Sequence, residues 1–355
     1  MDRLASLSTR LERIVPPDSS LGVRAQAHLD QLTKPQGSLG RLEELASKLV
    51  EMSGKEPPTA NRPVIFTLAG DHGVVAEGVS AYPQIVTAQM VENFLRGGAG
   101  INVLARHAGA RVVVADFGVA NPLPSHPDLV VKKVAPGTQN FARGPAMSLD
   151  QALEAIDAGW DLVEGERSRG LDLIGTGEMG IGNTTPASAI TAVITGAPVE
   201  SVTGKGTGID EVALQKKAAT IRQGIELNQP DPRDGLDVLA KVGGFEIGGL
   251  AGVILAGAAH RIPVVVDGFI AASAALIAVT LKPEVGHFLI ASHRSAEPGH
   301  DAILRHLGLT PYLDLRMRLG EGTGAALAFT LIRAAIRIYT EMATFKSAGV
   351  SEKQE

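Results

Sequence analysis

The chain has 355 residues, 45% of them hydrophobic and 20% charged, enough to bury one large α/β core or two modest ones. A formal net charge of −5 offers nothing to nucleic acid or anionic membranes, and an aromatic share of 4% supplies no stacking platform for bases. With no cysteine, disulfides, thiolate catalysis, iron–sulfur clusters and zinc–thiolate sites are excluded. The opening Met1-Asp2-Arg3-Leu4-Ala5 mixes charges and lacks an apolar signal core. The apolar stretches 248–259 and 269–281 fall short of the ~20 residues that span a bilayer, so both read as buried helices and the protein as cytoplasmic.

Helices are predicted over 24–32 and 41–52, within a polar N-terminal region broken at Pro16-Pro17 and Pro57-Pro58. The Pro/Gly segment between those helices, 32–40, reads as a connector. The continuous apolar run 64–69 has the pattern of a strand covered on both faces, and it ends in Gly70-Asp71-His72-Gly73. A loop, 78–83, precedes a helix over 86–95. A second strand is expected at 111–115, then a proline-rich surface segment over 122–136, a helix over 149–164 and a third strand at 171–174.

The glycine-rich run that follows, 175–186, begins with the spacing G-x-G-x-x-G. No second strand ends in an acid ~20 residues later, so it reads as an anion cradle feeding a helix from Thr184, with Glu178 facing a cationic or donor part of a ligand. Another glycine loop, 204–208, precedes a helix over 210–227 with Asp210 as N-cap. Its apolar stripe of Leu214, Ala218, Ile221 and Ile225 includes Lys217, whose ammonium then needs an anionic partner, read here as phosphate.

Strands at 264–266 and 288–291 close the pattern, each ending in a polar turn, Asp267-Gly268-Phe269 and 292–300. Alternation of strands and helices predicts a doubly wound, mostly parallel α/β sheet with one ligand edge. Near the C-terminus, Leu319-Gly320-Glu321-Gly322-Thr323-Gly324 sets one carboxylate among glycines before a long helix, whose apolar face is expected at Leu327, Leu331, Ala334, Ile338 and Met342. The tail from Lys346 reads as frayed. No G-x-S-x-G, P-loop or H-E-x-x-H motif occurs. His72, His293 and His300, with Asp71, sit on separate loops without ligand spacing, so hydrogen-bonding roles are expected of them and neither metal nor cofactor is expected.

Several of these segments together resemble a known family. Leu32-Thr33-Lys34-Pro35 with Gly37-Ser38-Leu39-Gly40, Gly70-Asp71-His72-Gly73, and the segments 78–83, 177–185, 292–300 and 320–324 run in the order seen in the nicotinate-nucleotide–dimethylbenzimidazole phosphoribosyltransferases, over nearly the whole chain. The resemblance implies transfer of a 5-phosphoribosyl group from nicotinate mononucleotide to 5,6-dimethylbenzimidazole, in assembly of the cobalamin nucleotide loop. It implies Glu321 as general base, with Glu178 stabilising positive charge in the transition state. It further implies an acceptor pocket of Pro35, Ser80, Tyr82, Gln89, Met179 and Leu319, with Gly320 beside it, and donor contacts from Gly180, Gly206, Lys217, Gly268, Phe269 and Ser295. A large domain over 60–310, a smaller helical lobe from 1–59 with 311–355, and a homodimer are implied as well. Two other functions are compatible with the residues: a sensor that binds nicotinate mononucleotide without turnover, and a dinucleotide-dependent dehydrogenase using 175–180.

Overall fold

The apolar run predicted at 64–69 forms β1 (Pro63–Gly70), every residue of it buried. The structure, a computed structural model, describes residues 3–351; Met1-Asp2 and the last four residues, with the expectations that touch them, lie outside the described residues. β1 is flanked on one side by β2 (Arg111–Gly118) and β3 (Leu129–Val131), and on the other by β4 (Leu173–Met179), β5 (Val264–Val266) and β6 (Leu289–Ala291). The order is β3-β2-β1-β4-β5-β6 and every neighbouring pair is parallel. Winding reverses direction between β1 and β4, and at such a point the loops beyond the strand ends splay apart to leave a ligand crevice.

A parallel sheet must be covered on both faces. Helices Phe245–Ala259 and Phe269–Leu281 are apolar nearly all round and are buried along most of their length, as a sheet-covering layer requires. Helix Leu149–Ser168 lies outside Phe245–Ala259, while Thr323–Glu341 crosses the other side and packs on Arg41–Ser53 and Gly100–Ala108. No helix of the described residues is long and apolar enough to cross a membrane.

Several expectations are corrected by the packing. The third strand begins at Leu173 and runs through Met179, so Gly175 and Gly177 are strand residues, registered against Ile65 and Thr67. The segment over 122–136 contains an edge strand, β3. The long C-terminal helix buries Ala325, Ala328, Phe329, Ile332, Ala335 and Tyr339, whereas Leu327, Leu331, Ile338 and Met342 are half-buried and Ala334 is exposed. Small alanines carry the inner face, so a stripe chosen by side-chain size fell about one residue off the true one. At the head of the tail a short helix, Phe345–Ala348, is tied down where the Phe345 N–H donates to the Gln31 carbonyl at 3.0 Å, while 346–351 are exposed. Helices Gly100–Ala108, Gly235–Val242 and Gly299–Leu307 carry no clear sequence signal, because each is short and opens on glycine, which by composition looks like loop.

Candidate active site

Glu321 sits between Gly320 and Gly322 with φ values of 62°, 81° and 97° respectively, three successive left-handed residues. A glutamate in that region costs of order 1 kcal/mol or more and persists only where its surroundings impose it. Here they do. Thr67 on β1 donates its hydroxyl to the Glu321 carbonyl at 2.9 Å, and a Cβ on Gly177 of β4 would fall 2.3 Å from that same oxygen. Gly177 thus lets the Glu321 loop lie directly on the sheet, and Gly175 makes room for Ala325 and Phe329 of the following helix. These two glycines do not form the phosphate-binding turn of a dinucleotide fold, and the dehydrogenase reading of 175–180 falls with that. The Glu321 side chain is buried, and Oε2 accepts the Ile101 N–H at 3.0 Å, at the start of helix Gly100–Ala108. The helix end favouring this anion therefore belongs to another element, not to the helix that follows Glu321 in sequence. Oε1 accepts nothing from a described residue. Burial raises the Glu321 carboxyl, opposed by the Ile101 bond and reinforced by Asp267.

Glu178, near the end of β4, faces the same space. Burial pushes its carboxyl up to about 8, with the charges of Asp267, Glu246 and Glu321 adding to the rise and a hydrogen bond from Asn183 Nδ2 opposing it. Gly320 has room for nothing larger, since a Cβ there would lie 2.1 Å from Glu178 Oε1. The third acid, Asp267, follows β5 and accepts the N–H groups of Gly322 (3.2 Å), Gly324 (2.7 Å) and Ala325 (3.1 Å), capping helix Thr323–Glu341 from across the fold. Burial lifts it to about 7 against those bonds. Three neighbouring carboxyls in one dry site cannot all ionise near neutrality, so the site is poised to accept positive charge.

Opposite the acids lies an anion cradle. The turn 180–183 leads into helix Thr184–Thr195, in whose first turn Thr185 N–H is spent on the Gly182 carbonyl at 2.9 Å and Pro186 has no N–H, so Thr184 is the residue of that turn left to face a ligand. Lys217 is 0% exposed, and Nζ donates to Thr184 Oγ1 at 2.6 Å and to the Gly204 carbonyl at 3.2 Å. Burial lowers its ammonium to about 8, with Glu297 holding it up. The loop between is tied on both flanks, by Arg318 Nη1 to the Gly206 carbonyl (2.9 Å) and by Ala81 N–H to Thr207 Oγ1 (3.0 Å).

Glu178, Glu321 and the cradle residues Thr184 and Gly206 border one cleft of about 500 Å³, with Asp267 behind its wall. It brings together Glu178, Met179, Gly180, Gly206, Gly268, Phe269, Ser295, Leu319, Gly320, Glu321 and Tyr82. Lys217 lies one layer behind, reaching the cradle through Thr184. Ser80 is also behind the rim, its hydroxyl 3.4 Å from Thr207 Oγ1. Two expected residues stay apart from the cleft. Gln89 is exposed on helix Val86–Leu95, where Val86 and Met90, a helical turn apart, face the cleft instead. Pro35 borders a separate hollow with Lys34, Gln36 and Phe345, where Lys34 and Glu43 make a buried ion pair at 2.9 Å. Asn183, Thr184, His293, Glu297 and Arg318 also line the cleft; the first four lie in the marked segments 177–185 and 292–300 without being singled out there as ligand contacts, and nothing in the local sequence marks Arg318.

The histidines divide as expected. His72 Nε2 pairs with Glu246 Oε1 at 2.9 Å beneath the cleft, and burial opposes its charge while Glu246 and Asp71 raise its pKa. His293 Nδ1 is 3.1 Å from Ser292 Oγ, and His300 Nδ1 accepts the Ser295 N–H at 2.9 Å. Burial drives the His300 ring down to about 3, so it is neutral.

A family model described as Phosphoribosyltransferase matches residues 14–350. The nicotinate-nucleotide–dimethylbenzimidazole phosphoribosyltransferase of Chloroflexus aggregans is 56% identical over 352 residues, which is 99% of this chain and 100% of that one. The protein of the same name from Geobacter sulfurreducens is 57% identical over 346 residues, 98% of each. The crystal structure of the Thermus thermophilus enzyme superposes with a TM-score of 0.90 at 46% identity, covering 95% of this chain and 100% of that one. The glycine-held carboxylate, the acid pair and the anion cradle thus lie in a chain that is similar to these enzymes from end to end, and it belongs to the nicotinate-nucleotide–dimethylbenzimidazole phosphoribosyltransferase family.

Proposed function

We propose that this protein transfers the 5-phosphoribosyl group of nicotinate mononucleotide to 5,6-dimethylbenzimidazole, releasing nicotinate and α-ribazole 5′-phosphate for the nucleotide loop of cobalamin. The observation that carries this reading is the strained, buried Glu321, with one carboxylate oxygen anchored and the other unengaged, opposite a lysine-backed anion cradle. The donor phosphate suits the cradle of Gly206, Thr184 and Lys217. One imidazole nitrogen of the acceptor attacks the anomeric carbon from the face opposite the nicotinate ring, and configuration inverts. As the glycosidic bond breaks, its electron pair returns to the ring nitrogen, so the leaving pyridine is neutral and needs no acid. The proton on the other imidazole nitrogen passes to Glu321. Positive charge spread over the sugar in the transition state faces Glu178, which that charge draws toward ionisation. Met179, Leu319 and Tyr82 offer the apolar wall an alkylated benzimidazole needs.

The lobe of 1–59 with 311–355, packed beside the 60–310 domain, a homodimer and a cytoplasmic location belong to the same proposal. Pro35 and Gln89 support the dimer: both are expected at the acceptor, yet neither borders the cleft of its own chain, so a second copy would supply them. Incubating the protein with nicotinate mononucleotide and a panel of bases, then identifying products, tests the reading. Nicotinate should appear only with a base present, alongside its α-riboside phosphate. Tight donor binding with no nicotinate released under any base would make the protein a sensor instead.

A further inference from the structure

Glu297 is buried at 6% exposure, yet neither carboxylate oxygen accepts a hydrogen bond from a described residue, and Oε2 is closed off from solvent altogether. It stands in the turn after β6, held by its N–H to Ser295 Oγ (3.3 Å) and by its carbonyl, which accepts the His300 N–H (3.1 Å). The side chain reaches the cleft under the glycine loop: a Cβ on Gly204 would fall 1.9 Å from Oε2. Lys217 lies near enough to feel its charge, but its two hydrogen bonds go to Thr184 and Gly204 and none to Glu297. Buried polar groups are nearly always hydrogen-bonded, and an ionised carboxylate only accepts. Glu297 therefore lacks a donor, at a place bordered by the cleft and the anion cradle.

The chemistry of the substrate supplies one. On the transferase reading, the donor's phosphate and the nicotinate carboxylate both accept hydrogen bonds; only its ribose 2′- and 3′-hydroxyls donate them. They stand a few bonds from a phosphate seated beside Lys217. We infer that Glu297 accepts a hydrogen bond from a ribose hydroxyl of the donor nucleotide and makes the site selective for ribose over deoxyribose. Charge-assisted O–H···O⁻ bonds are among the stronger ones, and an absent hydroxyl leaves the acid with nothing.

Equilibrium binding, measured without acceptor base, tests this on nicotinate mononucleotide and its 2′-deoxy and 3′-deoxy analogues. The wild type should bind at least one deoxy analogue about tenfold or more weakly than the ribose compound. In Glu297→Gln the ribose compound should weaken until that gap closes to about threefold, since paired groups show their coupling in such a cycle. Equal wild-type affinity for all three ligands would overturn the inference without any variant. So would a Glu297→Gln protein that binds all three more weakly by one common factor, the result expected if the acid merely supports Lys217. Nicotinate riboside, which lacks the phosphate, should keep the same dependence on Glu297 relative to its own deoxy analogues; loss of that dependence would also place the acid with Lys217 and overturn the inference. Nicotinate release with acceptor present is scored separately, so failure of the transferase reading is distinguishable from failure at Glu297.

Discussion

Glu321 joins two roles that pull against each other. Its backbone is in a region glycine prefers, and its carboxyl is buried where charge is disfavoured. Glu321→Gln should lower turnover by roughly 10²–10⁴-fold with donor affinity little changed, read by steady-state kinetics and equilibrium binding. Glu321→Gly should be as inactive yet more stable by about 1 kcal/mol in denaturant unfolding, because strain and a desolvated acid leave together. Lys217 makes the opposite demand, since the cradle needs its charge. Burial brings that ammonium down to about 8, so it discharges as pH rises through that value. In the pH profile, kcat/KM for the donor should therefore fall above about pH 8, and this limb should vanish in Lys217→Arg, whose charge persists.

At the scale of elements, the site is built by what β4 omits. Gly177 lets the carbonyl of Glu321 approach the strand, where Thr67 from β1 holds it. In Gly177→Ala a Cβ would lie 2.3 Å from backbone oxygen, and neither the strand nor the loop is a flexible side-chain end that can step aside. That variant should keep Glu321 in the chain yet lose turnover by at least about 10²-fold, because a base displaced by ~1 Å is a poor base. Its unfolding midpoint should fall as well, which differential scanning calorimetry would read. Asp267 acts from the neighbouring strand, fixing the start of helix Thr323–Glu341 and so the exit of the same loop.

For the whole molecule, the raised acids make stability depend on pH. Unfolded, Glu178 and Asp267 ionise in the ordinary carboxylate range near 4; folded, they hold protons up to about 8 and about 7. Between those limits the folded state binds more protons, so their stabilising contribution is full at acid pH and is lost as pH rises through 7 to 8. The denaturant midpoint of the unliganded protein should drop across pH 5 to 8, and drop less in Glu178→Gln. Assembly gives a second prediction at this scale. Light scattering should report twice the 36.9 kDa chain mass, and mixing inactive Pro35→Asp with inactive Glu321→Gln protein should restore activity, one mixed dimer holding one site with both residues intact. Mixtures as inactive as their parents would remove Pro35 from the acceptor site.

Much of this molecule could be read from its chain alone. Continuous apolar runs at 64–69, 264–266 and 288–291 declare strands covered on both faces, because only a parallel sheet under helices tolerates such runs, and the polar turns after them mark the ligand edge. Lys217 betrayed itself by falling within an apolar stripe, and Glu321 by its glycines. What local sequence could not carry is any relation made across the sheet. That Gly175 and Gly177 are strand residues depends on what packs on them from far later in the chain, the Glu321 loop on Gly177 and Ala325 with Phe329 on Gly175. Asp267 reads as a turn residue until the helix it caps is packed against it, and Glu297 as one more member of the polar turn 292–300 until Gly204 closes over it. Periodicity reports which face of an element is apolar; only tertiary packing determines which buried polar atoms find partners, and chemistry at this site depends on the ones that do not.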